Sequence, residues 1–148
     1  MSAPRVPATR KADALAMLET PAIDAWVASS GSGEAHLVPL SLCWNQDRAV
    51  VAVEQGSVTA SNLEPLATAR LAVGPTRDVV MIDAVLERVV DVTEDNELWS
   101  AYTGQADWDP RQGSGYVFLV LRPVQLQAWR ESNEIPGRTL MRDGCWLV

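Results

Sequence analysis

Val50-Val51-Ala52-Val53-Glu54-Gln55-Gly56-Ser57-Val58-Thr59-Ala60-Ser61-Asn62 is the stretch on which the reading of this chain turns. Val50 to Val53 are apolar and, apart from Ala52, β-branched, which suits a buried strand. Gly56 permits a tight turn. Ser57, Thr59, Ser61 and Asn62 then bring three hydroxyls and an amide to the mouth of a short helix, about Thr59 to Ala67. A first helical turn points free N–H groups and the positive end of its dipole at one spot, so a strand, turn and helix start in this order can cradle a phosphate. The same pattern also describes an ordinary capped helix after a strand.

Upstream, Thr9 is placed to cap a helix from about Arg10 to Glu19, with Ala12, Leu15, Ala16 and Leu18 as its apolar stripe and Pro21 ending it. Residues 1 to 8 read as a loose tail. Ile23 to Ser29 and Ala35 to Trp44 read as strands joined by a turn at Gly31-Ser32-Gly33. With a further turn at Asn45-Gln46-Asp47, they would form a three-strand meander with Val50 to Val53. Downstream, Arg70 to Val73 is a brief strand stopped by Gly74-Pro75. Val79 to Leu86 and Val89 to Val92 form a long strand with a bend or bulge near Glu87-Arg88. Thr93-Glu94-Asp95 opens a short helix through Trp99, its carboxylates serving as a solvated cap. Asp107 to Gly115 reads as loop. Tyr116 to Trp129 is a strand whose continuous apolar start, Tyr116 to Leu121, implies burial on both faces, with an edge or bulge at Pro123. A last hairpin turns at Asp143-Gly144. Six or seven strands against three short helices predict a mainly β fold closed into a barrel.

The 148 residues, 47% of them hydrophobic, suffice for one domain with a substantial core. A formal charge of −7 and a single lysine, Lys11, exclude a nucleic-acid backbone or an anionic membrane as partner. No apolar run reaches the ~18 residues of a membrane span and the N-terminus has no apolar leader core, so a cytoplasmic protein is expected. Cys43 and Cys145 read as reduced, buried thiols. His36 is the sole histidine, which leaves little room for a catalytic triad or a His/Cys metal site. Neither a dinucleotide-binding glycine motif nor a P-loop is present. Chemistry on such a chain has to be supplied by a cofactor.

The order of motifs resembles the pyridoxamine 5′-phosphate oxidase-like split β-barrels, which bind FMN or the deazaflavin coenzyme F420. The resemblance covers about residues 11 to 130. It rests on Ala25-Trp26-Val27-Ala28-Ser29, His36-Leu37-Val38-Pro39-Leu40, Val51 to Glu54, Gly56-Ser57-x-Thr59-x-x-Asn62-Leu63, Thr76-Arg77-Asp78-Val79-Val80 and Leu126-Gln127-Ala128-Trp129-Arg130. It implies a homodimer with two cofactor sites at the subunit interface, a state that six tryptophans in a small chain also favour. Carried over by position, Pro39, Leu40 and Ser41 would line the flavin or deazaflavin ring, with Val53, Glu54 and Gln55 bordering it. Gly56, Ser57, Thr59 and Asn62 would hold the phosphate, Trp129 and Arg130 would approach from the other subunit, and Arg77 would add positive charge. Arg130 is the catalytic candidate.

The chain departs from the pattern in one respect. Gln55 to Leu63 contains no lysine or arginine, and Val58 and Ser61 stand where basic residues are common. Loss of one charge-assisted bond costs ~1.5 to 3 kcal/mol, or ~10- to 100-fold in affinity, unless Arg77, Arg130 or Arg138 compensates. Pyridoxamine phosphate oxidation itself is disfavoured because a second basic cluster is missing. The function so implied is an oxidoreductase that delivers hydride from FMN or F420 to a small aromatic or unsaturated substrate. The alternative is a non-catalytic cofactor carrier or pseudoenzyme dimer. A haem carrier would need an axial ligand, for which His36 and Tyr102 are the candidates.

Overall fold

In the computed structural model, which describes residues 1–31 and 33–148, nine strands form one antiparallel sheet. In chain order the elements are α1 (Pro7–Leu18), β1 (Asp24–Ser29), β2 (His36–Ser41), β3 (Cys43–Asn45), β4 (Arg48–Glu54), α2 (Val58–Asn62), β5 (Thr68–Val73), β6 (Val79–Asp91), α3 (Asn96–Gln105), β7 (Tyr116–Trp129), β8 (Thr139–Arg142) and β9 (Cys145–Trp146). The main path runs β2-β1-β5-β6-β7-β4-β3, with β8 and β9 attached to β7. Its two ends, β2 and β3, are consecutive in the chain and separated only by Leu42. Chain continuity therefore closes the sheet into a barrel.

The expected meander of three strands is not formed. The stretch Ala35 to Trp44 breaks at Leu42, whose N–H donates to Ile23 O (3.0 Å) and whose side chain is fully buried. Before the break the chain pairs with β1, and after it with β4. One continuous segment thus serves both edges of the barrel. Of the expected Gly31-Ser32-Gly33 turn, Ser32 lies outside the described residues.

The uninterrupted apolar runs of β4 and β7 are explained by two cores. Ala49, Val51 and Val53 of β4, with Val117, Leu119 and Leu121 of β7, face the barrel interior. The alternate residues Val50, Ala52, Phe118 and Val120 face outward, under α3, against Leu98, Tyr102 and Ala106. Burial on both faces of β7 is thus as its sequence indicates. Two register shifts bend the β6–β7 ladder: one where Asp83 pairs Gln125 but Ala84 pairs Pro123, the other at Glu87, between Leu86 and Arg88. Pro123 and the Glu87-Arg88 step were the expected irregularities, since proline cannot donate to a ladder.

The helices differ in detail from expectation. α1 starts at Pro7 behind Val6, without a side-chain cap from Thr9, because proline at a first helical position is already set for the helix. Its buried face is Arg10, Ala14 and Leu18, while Ala12 and Ala16 are exposed. Near the start of the chain, the Arg5 guanidinium donates to buried Glu134 at 2.7 Å, and Arg10 donates to Glu134 O at 2.9 Å. α2 stops at Asn62 rather than Ala67, because Pro65 excludes helical geometry from the residue before it. α3 opens as its sequence suggests, Asp95 accepting from Leu98 N–H at 2.9 Å. Cys43 is buried and its thiol pushed up to about 11 by desolvation, whereas Cys145 is exposed, contrary to expectation; both are free. Among the described residues no helix is long and apolar enough to cross a membrane.

Candidate functional site

The β3–β4 ladder ends at the Cys43–Val50 pair. Beyond it β2 turns toward β1 and parts from β4, and the gap is a cleft of about 380 Å³. Strand alternation sends His36, Val38 and Leu40 of β2 into this gap. Ala52, Val53 and Glu54 end β4 on the opposite wall, and Ser57, Val58 and Thr59 of the adjoining turn and helix close one end. Tyr116, paired with Glu54 across the β4–β7 ladder, and Trp108 from the loop after α3 complete the lining.

The aromatic side of the cleft is pre-organised. The Trp108 and Tyr116 rings meet edge to face with centroids 5.1 Å apart. Trp108 Nε1–H donates to Tyr102 Oη at 3.0 Å, and Tyr102 in turn leans on Ser41 O at 3.5 Å. Tyr102 is fully buried, and desolvation pushes its phenol up to about 12, so it stays neutral and acts as the fixed partner of Trp108. Trp108 reaches the site by way of a loop, and Asp107 to Gly115 carries no periodicity from which it could have been singled out. His36 stood out in the sequence as the sole histidine, and the structure sets it with Val38 and Leu40 on the cleft side of β2, alternating with exposed Leu37 and Pro39.

The carried-over residues divide between three places. Leu40, Val53, Glu54, Ser57 and Thr59 line the cleft. Pro39 lies on the opposite face of β2, exposed beside Trp26, while Ser41 is half-buried and offers its carbonyl to Tyr102. Gln55 and Gly56 are exposed in the turn, where Gln55 N–H donates to Gly115 O at 2.9 Å. Ser57 Oγ accepts from Ala60 N–H at 3.1 Å, which makes it the cap of α2. Asn62 Nδ2 donates to Ser29 Oγ at 3.2 Å, so this side chain ties α2 to β1 and borders a neighbouring hollow with Gly31 and Glu64. Thr59 is 3% exposed. The N–H groups of Val58 and Thr59 have no acceptor among the described residues.

Arg77 and Arg130 lie in a separate cavity of about 320 Å³ beside the N-terminal residues. Arg77 pairs with Glu131 at 2.6 Å, and Arg130 with Asp78 at 3.3 Å and Asp13 at 3.6 Å. Trp129 is half-buried under the Arg138 guanidinium, 5.3 Å from its ring centroid. Within one protomer Arg77, Trp129, Arg130 and Arg138 do not meet the cleft. Among the described residues no group of histidine, cysteine and carboxylate side chains is arranged to hold a metal ion.

A flat ring fits the cleft: its walls are apolar and aromatic, and its volume falls in the range of small-molecule sites, about 300 to 1,000 Å³. A phosphate attached to that ring fits it poorly. Among the described residues no lysine or arginine lines the cleft, Glu54 does, and Ser57 and Asn62 already make hydrogen bonds within the fold.

No protein-family model matches the sequence, and no curated protein does. Solved structures do resemble it. An F420 reductase aligns with a TM-score of 0.61 at 15% identity over 75% of this chain and 93% of its own. A putative pyridoxamine 5′-phosphate oxidase from Listeria innocua gives 0.61 at 15% identity over 82% and 98%. A heme binding protein from Mycobacterium smegmatis gives 0.64 at 18% identity over 97% of this chain and 60% of that one. At these identities the likeness is one of fold, and it agrees with the barrel, the parted strands and the short helices described above: the chain has the split β-barrel fold of the pyridoxamine 5′-phosphate oxidase-like proteins.

Proposed function

We propose that this protein is a flavin- or deazaflavin-dependent oxidoreductase that binds the cofactor ring in the cleft between β2 and β4 and reduces a small unsaturated or aromatic substrate there. The observation that carries this reading is the Trp108–Tyr116 pair. Two rings packed edge to face, with Trp108 anchored by its hydrogen bond to buried Tyr102, offer a rigid, apolar wall to a flat ligand at little entropic cost. When bound, the ring supplies the hydride chemistry, and this chain supplies orientation and exclusion of water. The likeness in fold to an F420 reductase agrees with the reading. A homodimer is part of the proposal. Trp26, 52% exposed, and Leu37, 59% exposed, stand with Pro39 on one face of β1 and β2, as an interface would require, and a partner subunit could then bring its own Trp129 and Arg130 toward the cleft.

The test is anaerobic mixing of the protein with reduced FMN or reduced deazaflavin and an activated alkene. Product formation above the protein-free rate is expected, and Trp108→Ala should weaken ring binding about tenfold or more, given about 1.5 kcal/mol for a lost aromatic contact. Absence of both binding and turnover removes the proposal.

A second reading has its own observation. His36 is half-buried in an apolar cleft, as a haem ligand would be, whereas Tyr102 is not available because it is fully buried and bonded to Trp108. Haem addition giving an absorption band that His36→Ala abolishes would favour a non-catalytic haem carrier.

A further inference from the structure

We propose that the cleft selects flat heteroaromatic ligands without a charged tail over their phosphorylated forms, and that Glu54 makes the selection. The inference rests on the cleft being the ring site. Four observations lead to it.

First, the charge of the lining is one-sided. Among the described residues Glu54 is the only carboxylate in it, and neither lysine nor arginine is present. Second, the side chains that could have faced a phosphate are neutral, and two of them already make hydrogen bonds within the fold. Ser57 Oγ caps Ala60 N–H, Asn62 is turned to Ser29, and Thr59 is 3% exposed. Third, the nearby arginine is neutralised: Arg70, beside the adjoining hollow that shares His36, holds Asp83 at 2.6 Å. Fourth, the charge of the whole chain, −7, repels an anion approaching the cleft mouth. Against these stand the unpaired N–H groups of Val58 and Thr59, which open a helix only five residues long. A phosphate held by them alone would lie beside the Glu54 carboxylate, and like charges within a Debye length oppose binding. A ribityl or other neutral tail meets no such opposition.

The experiment is a low-salt fluorescence titration of the full-length protein with riboflavin, lumiflavin and FMN, repeated on Glu54→Gln. Glu54 is exposed and its side chain makes no hydrogen bond among the described residues, so the variant keeps its stability. Riboflavin is expected to bind about 3- to 10-fold more tightly than FMN, with lumiflavin near riboflavin. The gap should narrow in salt and close in Glu54→Gln through a gain for FMN alone. Tighter binding of FMN than of riboflavin by the wild-type protein overturns the selection and leaves the ring site standing, as does a preference that Glu54→Gln does not alter. Binding of none of the three overturns the ring site itself, and the selection with it.

Discussion

Val58 is 55% exposed at the mouth of the cleft, and Ser61 lies one helical turn further along α2, also exposed. Val58→Arg or Ser61→Arg would place a guanidinium beside the open N–H groups of the first turn. A partly exposed charge-assisted pair contributes about 1 to 2 kcal/mol, so FMN should bind about 5- to 30-fold more tightly, less so in salt, while riboflavin responds little. Equal gains for both ligands in a titration would show that the arginine reads no phosphate. Arg130, 46% exposed by side chain, pairs with Asp78 and Asp13 in solvent, and such pairs contribute about 0 to 1 kcal/mol. Arg130→Ala should therefore leave the melting temperature almost unchanged, and if the residue serves a partner's cleft it lowers ring affinity or turnover. A large loss of stability without a kinetic change would assign it to packing.

Elements are joined here by a few polar side chains. Gln105, the last residue of α3, accepts from Trp44 N–H at 2.8 Å through Oε1 and donates to Leu18 O at 2.7 Å through Nε2. It thus links α3, β3 and the end of α1. Gln105→Leu leaves both backbone groups without partners, at about 1 to 3 kcal/mol, which a urea melt would register as a lower midpoint. The other link is Glu134. Hydrogen bonds from the Arg5 guanidinium and from the Arg5 and Arg130 N–H groups hold its carboxyl down, at about 2 against an ordinary 4.5. A carboxylate whose folded pKa is depressed stabilises the fold fully above its unfolded value, and the contribution fades as pH falls from 4.5 toward 2. The shift corresponds to a contribution on the order of 3 kcal/mol. Glu134→Gln should lose most of it at neutral pH and flatten the stability profile between those two pH values, as followed by thermal melts across pH. An unaltered acid slope would place the titration elsewhere.

At the scale of the molecule, Trp26, Leu37 and Pro39 form an exposed face on the side of β2 turned away from the cleft, and it continues across the sheet to Ala72 and Met81 by register. An apolar face of this kind on a small chain suits a second copy. Light scattering is expected to give twice the 16.1 kDa chain mass, and Trp26→Arg, which puts a charge into that face without touching the barrel core, should return the single-chain value. A wild-type monomer at micromolar concentration ends the dimer proposal.

Local chemistry determined much of this protein before any contact was made. Runs such as Val50–Val53 and Tyr116–Leu121 have no polar alternation and must be covered on both sides, Pro123 must interrupt a ladder, and Ser57 and Asp95 each sit where a side-chain oxygen can cap the helix beginning just after it. The mainly β split barrel with short helices came from these together with the family resemblance. Tertiary structure alone decided the rest. Whether Leu42 continues a strand or breaks it depends on the buried pocket and the Ile23 carbonyl that receive it, and nothing within four residues of Leu42 supplies either. Trp108 entered the site for the same reason: its place is set by Tyr102 and Tyr116, which come from a helix and a strand on either side of an aperiodic loop. Arg77 and Arg130, read as cofactor contacts from their motifs, lie within one protomer among the carboxylates of Glu131, Asp78 and Asp13. Partners for a long, flexible charge are chosen by which segments the fold brings alongside it, and spacing along the chain does not encode that.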